Sequence, residues 1–81
     1  MCPAFLVELK SKSDPLKTLV AKMEEYRDNG TRLGWLLAPD GERAYIFRAG
    51  ETGYQLVEGY DQELSGEDVL PGFSLNLRKL R

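Results

Sequence analysis

An α+β fold is predicted by three features of this 81-residue sequence: an apolar run at its start, one amphipathic stripe behind it, and short apolar segments divided by turn residues. Ala4-Phe5-Leu6-Val7 continues to Leu9 with only Glu8 interrupting, which predicts a central strand at about 4–10, covered on both faces. Asp14-Pro15 reads as a helix start, with the carboxylate capping free N–H groups and proline at the first helical position. Leu16, Leu19, Val20, Met23 and Tyr26 follow at spacings of three and four and form one apolar stripe. Asn29-Gly30 supplies a left-handed end to that helix.

The strand signals then repeat. Leu33-Gly34-Trp35-Leu36-Leu37-Ala38 is apolar, and Pro39-Asp40-Gly41 turns it into Ala44-Tyr45-Ile46-Phe47 as a hairpin. Strand, helix and strand make a β-α-β unit, whose strands should be parallel neighbours joined by a right-handed crossover. A turn at Gly50 to Gly53 leads to an edge strand, Tyr54-Gln55-Leu56-Val57. The acidic stretch Asp61 to Asp68 reads as a loop, and Leu70-Pro71-Gly72 turns into Phe73, Leu75 and Leu77, whose period of two predicts a last strand. No repeat or linker divides residues 1–81, so one domain is expected.

Composition narrows the function. With 42% hydrophobic and 30% charged residues the chain has a globular balance, although a domain this small buries only about 60–65% of its unfolded surface and its core is thin. No apolar run approaches the roughly 20 residues that cross a bilayer, and no basic segment with a long apolar run opens the chain, so a cytoplasmic protein with no membrane partner is expected. The single Cys2 has no disulfide partner, and with no histidine there is no zinc cluster. A bound metal would be a hard ion on carboxylates. Residues 1–48 hold eight Lys/Arg against seven Asp/Glu, and residues 49–81 three against six, so neither half carries the basic surface of a strong, stand-alone DNA binder.

The candidate for chemistry is Glu8-Leu9-Lys10, at the end of the first strand. Alternation along a strand puts the carboxylate of Glu8 and the ammonium of Lys10 on one face. Such a face holds Mg²⁺ or Mn²⁺ through Glu8 and the Leu9 carbonyl, while Lys10 orients a water or steadies the phosphate. By itself the triplet is weak evidence, because 13 acidic residues and five lysines predict about 0.8 chance occurrences of acid-x-Lys. Its place decides more: the carboxyl edge of a parallel strand, just ahead of a helix, is where ligands of such sheets bind.

Pro3-Ala4-Phe5-Leu6-Val7-Glu8-Leu9-Lys10-Ser11-Lys12-Ser13-Asp14, then Lys22-Met23-Glu24-Glu25-Tyr26 with Asn29-Gly30, the segment Leu33 to Pro39, and Leu70-Pro71-Gly72-Phe73 together resemble the Uma family of restriction-endonuclease-type proteins. That family is assigned to the PD-(D/E)xK nuclease superfamily. The resemblance implies a partial restriction-endonuclease-like core, a β-α-β unit followed by antiparallel hairpin strands, and metal-dependent hydrolysis of DNA phosphodiesters. It places Glu8 on the acid of the (D/E)xK motif and Lys10 on its lysine. The superfamily also uses an upstream aspartate, and only Met1-Cys2 precede Pro3, so residues 1–81 are expected to match the carboxy-terminal half of the domain and to be incomplete or inactive alone.

Two function classes follow. One is a DNA endonuclease domain completed by a partner chain or a further segment that supplies the missing strands. The other is a non-catalytic, self-associating interaction module built on the same fold, because one amphipathic helix covers one face of a sheet and leaves strand one an open edge, for which a homo-oligomer is expected. Trp35, inside an apolar run, is expected in the core rather than as a base-stacking platform. Lys12, Lys17 and Lys22 are expected as solvated helix-face charge, and Asp61, Glu63, Glu67 and Asp68 as solubilising loop charge without calcium-loop spacing.

Overall fold

Successive side chains of a strand point to opposite faces, and in this protein that alternation sorts the apolar residues into two cores, one on each side of a single sheet. The computed structural model describes residues 2–80. In chain order it contains β1 (Phe5–Leu9), α1 (Leu16–Asp28), β2 (Leu33–Ala38), β3 (Arg43–Arg48), β4 (Gln55–Glu58), β5 (Glu63–Ser65), β6 (Ser74–Asn76) and a 3₁₀ turn (Leu77–Leu80). The main sheet runs β1-β2-β3-β4 and β5-β6 form a second, two-stranded sheet. β1 and β2 are parallel, with Phe5 opposite Leu33 and Leu9 opposite Leu37, and β2, β3 and β4 are antiparallel.

One core lies under α1. Met23, with Leu6, Leu16, Leu19, Val20 and Tyr26 around it, packs on Leu36, Ala38, Tyr45 and Phe47. Gly34 allows this approach, since a Cβ there would stand 2.8 Å from the terminal methyl of Met23. The helix ends as its sequence predicts. Gly30, at φ +114°, donates to the Arg27 carbonyl and Thr31 donates to that of Tyr26, the paired bonds of a Schellman motif.

The other core holds Leu33, Trp35, Leu37, Ala44, Ile46 and Val57, and it is closed by Tyr60, Leu64 and Leu77 from the second layer. Tyr60 is fully buried, and its hydroxyl donates to the Arg43 carbonyl at 2.7 Å. Burial therefore pushes its phenol above the usual 10.0. Arg48 on β3 donates from Nε to Glu67 at 2.8 Å and so ties the two layers together.

Several expectations need correction. Among the described residues strand one pairs with β2 alone, as the open edge expected of it, but Val7 and Leu9 are exposed rather than covered. An apolar run reports burial propensity but not which neighbours the chain supplies. The sheet face away from α1 is covered by the segment from Tyr60 to Leu80, which one-helix reasoning left open. Asp14 does not cap α1: the N-cap is Pro15 and makes no side-chain bond, while the Asp14 carboxylate accepts the Ser11 N–H at 3.0 Å. Standing one residue too early, it closes the turn before the helix instead. The acidic stretch contains β5, whose single buried residue is Leu64, and the last strand stops at Asn76 because Leu77 enters the 3₁₀ turn. The predicted edge strand is present as β4, beginning at Gln55 rather than Tyr54.

Candidate functional site at the carboxyl end of β1

β1 and β2 run in the same direction, so the segment after Leu9 and the turn after Ala38 emerge together at one end of the sheet. The Lys10 N–H still donates to the Leu37 carbonyl at 2.8 Å, which holds the strand end in register. Beyond it the chain folds into a tight turn in which the Asp14 N–H donates to the Ser11 carbonyl and the Ser11 N–H donates to the Asp14 carboxylate. That amide holds the Asp14 carboxyl below the ordinary value of 3.8. The turn brings Lys12 within 3.8 Å of Asp40 across the gap between β1 and β2, an exposed pair of small energetic consequence.

Glu8 and Lys10 do not meet. The Glu8 carboxylate is held by Lys22 of α1 at 3.1 Å, and the Lys10 ammonium donates to the Ser11 carbonyl at 3.0 Å. Lys22 also stands 5.9 Å from the centre of the Tyr26 ring, so it bridges a carboxylate and an aromatic face. It is exposed, as expected of a helix-face lysine, and holds Glu8 in addition. The residue was findable, since Leu19, Lys22 and Tyr26 share the three-and-four spacing of the apolar stripe and Lys22 borders the face turned to the sheet.

The hydrogen bond from Lys22 to Glu8, with their mutual attraction, raises the lysine above its ordinary 10.5. A group raised by folding stabilises the fold fully below its unfolded pKa and loses that contribution as pH climbs through the raised value. Glu8→Gln is expected to return Lys22 towards 10.5 and to remove the alkaline part of the stability profile that depends on this pair. ¹⁵N-detected titration of Nζ measures it, and an unchanged titration would mean that Glu8 is not the partner in solution. Lys10 gains little from packing. Lys10→Ala is expected to change stability by less than about 0.5 kcal/mol in urea denaturation, because the backbone bond to Leu37 survives the change.

A hard divalent ion needs oxygen donors, usually one or two carboxylates with waters and substrate phosphate completing six. Glu8 and the Leu9 carbonyl, on the unpaired side of β1, fit by type. They do not fit by number: among the described residues no group of three or more His, Cys, Asp or Glu stands close enough to hold a metal, and Lys22 already engages Glu8. The residues form one side of such a site and no more.

The family model described as "Uma2: Putative restriction endonuclease" matches residues 1–78. The chain belongs to the Uma2 family. The Uma2 match takes in both layers, from β1 to the start of the 3₁₀ turn. A crystal structure of a putative nuclease belonging to DUF820 from Anabaena variabilis superposes with a TM-score of 0.84 at 18% identity, over 99% of this chain and 44% of that one. At that identity the likeness is one of fold, and this chain spans less than half the length of that protein. No curated protein matches the sequence. Among the described residues no helix is long and apolar enough to cross a membrane.

Other sequence assignments resolve here. Trp35 is 1% exposed and belongs to the core, as its apolar run predicts. Asp68 is exposed loop charge as expected, 3.9 Å from Arg32, whereas Glu67 is half-buried against Arg48 at 2.8 Å. Asp61 pairs with Arg78 at 3.5 Å. These acids were read singly because their partners lie far off in sequence.

Proposed function

We propose that this chain is part of a metal-dependent DNA endonuclease, the part of a Uma-type nuclease domain that carries the acid and lysine of the (D/E)xK motif. Glu8 is the metal-ligating acid, the Leu9 carbonyl the second donor, and Lys10 the cation beside the scissile phosphate. The observation that carries this reading is their common placement at the carboxyl end of a parallel strand, with the Leu9 carbonyl on the strand's open side. Bound Mg²⁺ or Mn²⁺ would supply Lewis-acid polarisation of a phosphoryl oxygen. Lys22 orients the Glu8 carboxylate from α1, and Lys10 is free to leave the Ser11 carbonyl for a phosphate oxygen. Family membership and the shared fold support the assignment.

On this reading a further acidic ligand comes from a partner chain or from a segment beyond the described residues. The chain alone is then expected to bind Mg²⁺ weakly, with half-saturation above about 1 mM, and to leave supercoiled plasmid DNA intact. Calorimetric titration of the wild type against Glu8→Ala is the test. Weak binding that disappears in the variant supports the proposal, and binding that Glu8→Ala leaves unchanged overturns the site. Saturation well below about 1 mM that depends on Glu8 would contradict a partial donor set.

A further inference from the structure

The Glu8 side chain is 29% exposed, and a carboxylate so far withdrawn from water needs a cation beside it. In this structure that cation is Lys22, whose ammonium stands 3.1 Å from Glu8 Oε1. The two charges cancel. Among the described residues no other acids join Glu8 in a group able to hold a metal, so while this pair is closed the strand end offers a divalent ion no net negative charge.

Lys22 has a second place to go. Its side chain is 47% exposed and carries its charge on a flexible four-carbon stem. Tyr26, one turn further along α1, has its ring centre 5.9 Å from the same ammonium, close enough for the aromatic face to attract it. Glu25, three positions on, is exposed and without an ion pair among the described residues, at a spacing that lets helical neighbours of opposite charge meet. Lys10 does not share the arrangement, since its ammonium is on the Ser11 carbonyl.

We propose that Lys22 is the resident counter-ion of Glu8, holding the carboxylate in the metal-free protein and giving it up to a divalent cation by moving towards Glu25 and Tyr26. The orienting contact of Lys22 with Glu8 then belongs to the metal-free state, and the same contact lowers the affinity of the strand end for metal. This inference rests on the reading of Glu8 as a metal ligand and adds to it the residue that competes for the carboxylate. It also accounts for the mismatch between donors that fit a hard ion by type and a site whose net charge does not attract one.

Calorimetric titration with Mg²⁺ of the wild type, Lys22→Met and Lys17→Met, each with and without Glu8→Ala, is the test. Lys22→Met keeps the length of the stem and removes the ammonium, and it is expected to tighten Mg²⁺ binding at least fivefold. Lys17→Met removes the same charge from an exposed position five residues earlier on α1 and should stay within twofold of the wild type. Adding Glu8→Ala should abolish the gain. Binding in Lys22→Met that is unchanged, weaker, or no tighter than in Lys17→Met overturns the proposal, and it leaves the metal reading standing where Glu8→Ala still abolishes wild-type binding. Binding that is absent from every chain, or indifferent to Glu8 in every chain, overturns both. Should Lys22→Met fail to fold, the wild type decides by itself: the Lys22 side-chain resonances should shift on adding Mg²⁺ with the same half-saturation as the Glu8 amide, and contacts from its methylene groups to the Tyr26 ring should strengthen. Lys22 resonances that stay fixed while the Glu8 amide saturates would mean that no competition exists.

Discussion

Trp35→Ala is expected to cost about 3–5 kcal/mol, the range for truncating a fully buried large aromatic. A domain of this length has a total stability of about 4–12 kcal/mol, so much of the variant should be unfolded at room temperature. The reason lies in where the ring sits. Trp35 is on the second strand, yet it meets Phe5 of β1 edge-on at 4.9 Å and stacks on Phe73 of the second layer at 6.1 Å. One side chain thus joins the strand that carries Glu8 to the cover over the sheet. Urea denaturation measures the loss. A cost below about 1 kcal/mol would show that the ring is not this joint and would reopen its reading as a stacking platform.

Gly66→Ala is expected to be the next most damaging change, at about 1–3 kcal/mol. A Cβ at Gly66 would lie 2.6 Å from the Leu70 carbonyl oxygen and 2.7 Å from the Leu70 Cβ. Neither atom can swing aside, because the Gly66 carbonyl accepts the Leu70 N–H and the Gly66 N–H donates to Phe73, which fixes the turn between β5 and β6. Relief requires opening that turn, next to which Leu64 and Leu77 close the core around Trp35. Gly34→Ala is the useful contrast, since its clash is with the flexible end of Met23 at 2.8 Å. Thermal melts should fall by about 4–8 °C for each kcal/mol lost, with Gly66→Ala well below Gly34→Ala. Equal melting points would contradict the assignment of a rigid turn.

Much of this architecture was legible because it is local. The three-and-four spacing from Leu16 to Tyr26, the unbroken run from Leu33 to Ala38 and the turn residues between them each specify an element within one window of chain. Asn29-Gly30 specified a helix end whose bonds are those observed. What sequence reasoning missed depends on distance along the chain. Nothing in Phe5-Leu6-Val7-Glu8-Leu9 says which of its side chains the rest of the chain will cover, so Val7 and Leu9 were read as buried and are exposed among the described residues. Leu64 alone, among acids, gave too little pattern for β5, and the acids themselves are partners of Arg32, Arg48 and Arg78. The candidate site divides in the same way. Alternation placed Glu8 and Lys10 together, but the contact that holds Glu8 comes from Lys22, fourteen positions on and in another element.

The central claim is that the end of β1 is the metal-facing side of a nuclease site, and Mn²⁺ added to ¹⁵N-labelled protein tests it most directly. Paramagnetic broadening should centre on the amides of Glu8, Leu9 and Lys10, extend to the neighbouring turn of α1 at Lys22, and vanish in Glu8→Ala. Broadening centred instead on the acidic segment from Asp61 to Asp68, or a pattern at β1 that survives Glu8→Ala, would contradict the account.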